Sequence, residues 1–203
     1  MMKKLLIILM SFLFVGMLIG PALAADTYKV GAVFSVTGRT SFLGDPEKKT
    51  VRILQEEINK KGGINGHPLE LVIYDDEGDA TKCALAVRKL ITRDEVCAII
   101  GPSLSGLSLA VVPEAEKHKI PLVSCAASYK IVTKDPETGE QWPWVFKTPQ
   151  SDSMAVEAIY THMKKQGISK IAIMSVTSGF GASGRGELLR LAETKSQVSF
   201  EEQ

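Results

Sequence analysis

Val96-Cys97-Ala98-Ile99-Ile100-Gly101-Pro102-Ser103-Leu104-Ser105-Gly106 is the stretch whose reading decides the fold. Its first half is an apolar run of strand length, stopped by Gly101-Pro102. Its second half opens a helix, because Leu107, Val111 and Ala115 recur at helical spacing as far as Lys117. Ile120–Ser124 is again a short apolar run. Strand, helix and strand in that order make a crossover unit, which joins parallel strands.

Working toward the N-terminus, the same alternation repeats. Asp79 is placed to cap a helix with Ala84, Val87 and Ile91 on one face. Leu69–Tyr74 reads as a strand ending in the acidic turn Asp75-Asp76-Glu77-Gly78. Pro46–Lys61 carries Val51, Leu54 and Ile58 at helical spacing, and Gly62-Gly63 ends it. Tyr28–Ser35 is a β-rich run. The pattern predicts an α/β fold, a parallel sheet with helices on both faces. Ligands in such sheets collect outside the carboxyl ends of the strands. The loops to watch are Val36–Asp45, Asp75–Asp79, Gly101–Gly106 and Cys125–Lys130.

Toward the C-terminus the rhythm breaks. Asp135–Trp144 reads as a surface excursion, rich in Pro, Gly, Trp and charge. Trp144–Lys147 reads as a further strand. Ser151–Gln166 is expected to be a helix with Ala155, Ile159 and Met163 buried, Ile171–Val176 a strand, and Ser183–Glu193 a helix. Thr148-Pro149 marks the expected crossing into a second lobe. The expected organisation is residues 1–24 as signal peptide, 25–147 as a first lobe without return strands, and 148–203 as the start of a second. After Ala192 the pattern stops, and the chain reads as cut short.

The signal peptide has three parts. Lys3 and Lys4 form a basic start, Leu5–Ile19 an apolar run, and Ala22-Leu23-Ala24 a small-residue cleavage site. The run is shorter than the ~20 apolar residues a membrane span requires. Cleavage after Ala24 is expected, giving a periplasmic or otherwise extracytoplasmic chain. The formal charge falls from +1 to −1 once Lys3 and Lys4 are set aside. That balance gives no support to nucleic-acid binding, which favours basic patches.

No catalytic constellation stands out. His67, His118 and His162 are isolated, and no Cys/His group has zinc spacing. Cys83, Cys97 and Cys125 are expected to be buried free thiols. About 15 Å of helix separates position 83 from the helix end near residue 93, far beyond the ~7 Å a disulfide spans. Asp75, Asp76, Glu77 and Asp79 lack the ligand spacing of an EF-hand and read as a turn with an Asp cap. Gly179-Phe180-Gly181-Ala182-Ser183-Gly184 matches the dinucleotide fingerprint G-x-G-x-x-G. The acidic residue that fingerprint needs would fall about 20 residues on, at the chain end, with no following strand evident. Glycines allowing a tight turn into a helix suffice.

Two loops carry more information. Gly101-Pro102-Ser103-Leu104-Ser105-Gly106 offers hydroxyls and free N–H groups at a helix N-terminus, suited to a carboxylate. Ser124-Cys125-Ala126-Ala127-Ser128 lets a ligand approach the backbone. On adjacent strand ends they are expected to form a site for a zwitterion.

From about Tyr28 to about Ala192 the chain resembles the type I periplasmic binding proteins of branched-chain amino acid transporters. The residues that carry this are Val30-Gly31, Thr37-Gly38 and Gly44; Ile58-Asn59, Gly62-Gly63-Ile64 and Gly66; and Tyr74-Asp75-Asp76. Ile100-Gly101-Pro102 with Ser105, Pro121-Leu122-Val123-Ser124 with Ala126-Ala127, Val145-Phe146-Lys147-Thr148 and Gly179-Phe180-Gly181 complete them. The resemblance implies two Rossmann-like lobes joined by a hinge, with the ligand between them and the second lobe incomplete here. It implies that Ser105, the backbone at Ala126 and Ala127, and Ser128 hold the ligand's amino and carboxylate groups. It places Leu43 and Phe42 beside the ligand side chain, and Phe180 on the second-lobe wall. It also implies that the acid facing a ligand amine comes from a part of the family's chain without counterpart here. The expected function is binding an amino acid or similar small solute for delivery to an ABC transporter permease, without cofactor or metal. The alternatives are a ligand sensor of the same fold or an exported nucleotide-dependent enzyme.

Overall fold

The computed structural model describes residues 26–194 and 199–201. The expected signal peptide lies outside the described residues. Five parallel strands form the main sheet in the order β2-β1-β3-β4-β7: β1 (Tyr28–Phe34), β2 (Leu69–Asp75), β3 (Ala98–Ile100), β4 (Leu122–Ser124) and β7 (Val145–Lys147). The chain leaves β1 to one side for β2 and returns on its other side for β3. The carboxyl ends of β1 and β3 therefore flank a topological switch point.

The crossover helices are α1 (Ser41–Lys60), α2 (Ala80–Thr92) and α3 (Ser105–His118). Leu107, Val111 and Ala115 of α3 are buried as their spacing predicts, packed with Val87, Leu90, Ile99 and Leu122. On α2 the buried face is Cys83, Ala86, Val87 and Leu90, with Ala84 and Ile91 half-buried at its margin. Asp79 caps α2 by accepting from the Lys82 N–H at 2.8 Å.

Helix α1 departs from the sequence reading in two ways. It begins at Ser41 and carries Pro46 inside it, so half of the expected Val36–Asp45 loop is helical. The cause lies at Gly44, where the helix backbone rests on the backbone of Ser35, and a Cβ would strike the Ser35 carbonyl. Gly44 is also the buried residue of the helix. Val51 and Ile58 are half-buried, while Leu54 is 48% exposed and Ile53 58%.

The Asp135–Trp144 excursion is largely a small antiparallel hairpin, β5 (Thr133–Asp135) with β6 (Glu140–Gln141). Beyond β7 come α4 (Asp152–Gln166), β8 (Lys170–Ala172), α5 (Gly179–Thr194) and β9 (Ser199–Glu201), which pairs in parallel with β8. A strand thus follows α5 where none was evident in sequence. The buried face of α4 is Asp152, Val156, Tyr160 and Met163. The expected Ile159 is 48% exposed, because Val156 and Tyr160 are the residues that meet Leu191 of α5 in a small separate core. The three cysteines are free as expected, but Cys97 is exposed and Cys125 half-buried. Among the described residues, no helix is long and apolar enough to cross a membrane.

Candidate ligand site

Three loops leave the sheet side by side at its carboxyl edge. The loop after β3 is tied to the loop after β4 by the Cys125 N–H donating to the Pro102 carbonyl at 3.2 Å. Ser124 sits beneath both. Its hydroxyl is 2.7 Å from that of Ser108 on α3 and accepts from the Ala126 N–H at 3.1 Å. The Ser128 N–H donates to the Ser105 hydroxyl at 3.4 Å. The small residues at 124–128 are thus fastened in place.

The acidic turn after β2 is built as the sequence predicts. One Asp75 oxygen accepts from the N–H groups of Val36, Thr37 and Glu77, and the other from the Thr37 hydroxyl at 2.7 Å. Burial raises the Asp75 pKa, but these donors outweigh it and hold the carboxylate below its ordinary range. Asp76 is fully buried, accepting from the Ser35 hydroxyl at 2.6 Å and the Gly78 N–H at 2.8 Å. Burial drives its pKa upward against those bonds.

These loops enclose a cleft of about 800 Å³. Six of the seven sequence-predicted residues line it: Phe42, Leu43, Ser105, Ala126, Ala127 and Phe180. Ser105 is 3% exposed, whereas Phe42 and Phe180 are open to solvent on opposite walls. Ser128 is not among the lining residues. It is fully buried, with its hydroxyl donating to that of Ser183 on α5 at 2.8 Å. That bond fastens α5 to the loop after β4.

The stretch 179–184, expected as a tight turn into a helix from Ser183, forms the first turns of α5, which begins at Gly179. A Cβ at Gly181 would strike the Val176 carbonyl, and one at Gly179 would lie 3.0 Å from the Gly106 nitrogen. Two of the three fingerprint glycines are therefore accounted for by packing. The same contact brings the N-termini of α3 and α5 together beside Ser105. Helix N-termini present unpaired N–H groups and a partial positive charge.

Outside the loops that the sequence singled out, Glu47, Pro149, Val176 and Ser178 also line the cleft. Glu47 accepts from the Ser103 hydroxyl, and Ser103 accepts from the Ser35 N–H at 3.1 Å. Burial raises the Glu47 pKa, the Ser103 bond opposes it, and the charge of Asp76 adds to it. Burial pushes the Cys125 thiol up to about 11, with Glu47 adding to the rise. Lys147, beneath the floor, spends its ammonium on the carbonyls of Ala127, Pro149 and Gln150 at 2.9–3.0 Å. Burial lowers its pKa against the charge of Asp152.

The chain matches the periplasmic binding protein family over residues 27–196. It is 32% identical over 133 residues to the leucine-, isoleucine-, valine-, threonine- and alanine-binding protein of Pseudomonas aeruginosa, covering 66% of this chain and 34% of that one. It is 27% identical over 164 residues to a Leu/Ile/Val-binding protein of Rhizobium johnstonii, covering 81% of this chain and 42% of that one. Its fold is similar to the crystal structure of an extracellular ligand-binding receptor from Rhodopseudomonas palustris, with a TM-score of 0.75 at 29% identity. That match covers 88% of this chain and 47% of the receptor. The chain spans between about a third and a half of the length of these proteins.

Proposed function

The chain belongs to the periplasmic binding protein family, and from that premise we propose that its cleft takes a small amino acid for delivery to an ABC transporter permease. The observation that carries this is the meeting of the α3 and α5 N-termini beside the buried hydroxyl of Ser105. Two positive helix ends and a hydroxyl form a receptor for a carboxylate. Phe42, Leu43 and Phe180 supply apolar wall for a side chain. The names of relatives that bind leucine, isoleucine and valine support an aliphatic amino acid.

The reading extends to organisation. Residues 25–147 form one lobe and 148–203 belong to the next, with the crossing near Thr148-Pro149. The position of β7 at the sheet edge and the separate core of Val156, Tyr160 and Leu191 support that division. Residues 1–24 act as an export signal, and the chain works outside the cytoplasm. Binding is the whole of the task, and no chemical step is assigned to the cleft.

Calorimetric titration of the chain with a panel of aliphatic L-amino acids tests the proposal. One or more should bind saturably. Ser105→Ala removes a hydrogen bond to a charged group, worth about 1.5–3 kcal/mol, and should weaken binding about ten- to a hundredfold. Absence of binding to every member of the panel, or equal affinity in the variant, contradicts the assignment.

A further inference from the structure

Lys147 ends β7, and its ammonium donates to three carbonyls: that of Ala127 at 2.9 Å and those of Pro149 and Gln150 at 3.0 Å each. An ammonium carries three N–H donors, so all of them are spent. The carbonyls belong to two different places. Ala127 lies in the loop after β4 and lines the cleft. Pro149 and Gln150 lie beyond the end of the sheet. The register of β4 with β7 closes at Ser124 and Lys147, and the Thr148 N–H donates to the Ser124 carbonyl at 3.0 Å. Pro149 has no N–H with which to continue. The ladder therefore stops where the crossing begins, and the ammonium takes the next two carbonyls.

From the crossing the path leads to the far wall. Ser151, next to Gln150, caps α4. Helix α4 packs on α5 through Val156, Tyr160 and Leu191, and α5 carries Phe180. The charge that bears on Lys147 is Asp152, in the first turn of α4, which favours the ammonium while burial opposes it. Asp152 is buried with one oxygen unpartnered, and with Glu187 and Arg190 of α5 it surrounds Tyr129. We propose that Lys147 is a positioning residue that couples occupancy of the cleft at Ala127 to the crossing at Pro149 and Gln150, and so to the wall that carries Phe180. It is not among the lining residues and acts through the Ala127 backbone. Coupling of this kind travels through contiguous bonded and packed groups. The inference rests on reading the cleft as an amino acid site and 148–149 as the crossing between lobes.

The test reads the carbonyl carbons themselves, by carbon-detected magnetic resonance of the isotopically labelled chain titrated with L-leucine. In the unmodified chain the Ala127, Pro149 and Gln150 carbonyls should respond together, with one shared Kd. In Lys147→Met, Ala127 should still respond while Pro149 and Gln150 fall silent. Leucine should then bind at least about fivefold more weakly, the low end of an ordinary coupling between sites. Lys147→Arg, which keeps a charged donor group, should restore the joint response. A residue that only held the fold would lose the response at all three carbonyls at once. Silence at Pro149 and Gln150 in the unmodified chain overturns the proposal, as does an undiminished response at both in Lys147→Met. A second measurement needs neither leucine nor the Met variant. Burial lowers the Lys147 pKa from its ordinary 10.5, so raising the pH toward that value neutralises the ammonium. The three carbonyl signals should then move together in the unmodified chain and stay in place in Lys147→Arg. Carbonyls that titrate separately, or equally in Lys147→Arg, overturn the proposal even where Lys147→Met fails to fold. If Gly101–Ser105 and Ala127 respond to leucine while Pro149 and Gln150 do not, the reading of the cleft stands and only the role of Lys147 falls. If no residue of the unmodified chain responds, that reading falls and the coupling with it.

Discussion

Asp75 and Asp76 are neighbours in one turn, and the fold moves their pKa values in opposite directions. Asp75 gathers donors from three backbone N–H groups and a hydroxyl, while Asp76 is sealed under the turn with one oxygen unpartnered. Because burial raises the Asp76 pKa above its ordinary 3.8, the native chain binds more protons there than the unfolded chain. Its contribution to stability is therefore full below about pH 4 and declines as pH rises through the raised value. Asp76→Asn keeps an acceptor for Ser35 and Gly78 and removes that decline. Denaturation midpoints measured between pH 4 and pH 7 should fall less in the variant than in the parent, and equal slopes would contradict the assignment. The small-residue loops at 101–106 and 124–128 both line the cleft, and they were legible as candidates, since their residue types suit close approach at strand ends. Glu47 was not. A glutamate beside Lys48 and Lys49 on a helix reads as a solvated face, and only the seating of Gly44 on Ser35 turns it inward.

At the scale of elements, periodicity located every crossover helix but misplaced some starts and faces. Helix α3 was read correctly because its apolar positions repeat over three turns. Helix α1 was begun too late, because Pro46 resembles a first-turn proline while packing at Gly44 extends the helix back to Ser41. On α4 two apolar stripes compete, and contact with Leu191 selects Val156 and Tyr160 over Ile159. Helix α5 gives the clearest element-level test. Its first turn is pressed on the Val176 carbonyl at Gly181, whereas nothing lies near a Cβ at Gly184. Gly181→Ala should lower stability by about 1–3 kcal/mol through overpacking and weaken amino acid binding. Gly184→Ala should raise stability by about 0.5–1 kcal/mol, the usual gain of alanine over glycine inside a helix. Chemical denaturation of both variants checks the pair. Equal effects would mean that α5 is not seated as described.

For the whole molecule, the order β2-β1-β3-β4-β7 accounts for where the cleft lies. Strand alternation in the sequence predicted a parallel sheet with a site at its carboxyl edge, and the switch point between β1 and β3 places the loops there. Residue patterning alone could not supply the approach of α5, which only the family resemblance implied through Phe180, because contacts between Gly106 and Gly179 join residues more than seventy positions apart. That approach adds a wall to the sheet edge and makes a cleft of it. The most direct measurement is therefore amide chemical-shift mapping of the isotopically labelled chain during titration with L-leucine. The account predicts saturable shifts concentrated at Gly101–Ser105, Ala126–Ser128 and Gly179–Phe180, on both walls of the cleft. No shifts at millimolar leucine, or shifts confined to the outer faces of α2 and α4, would contradict it.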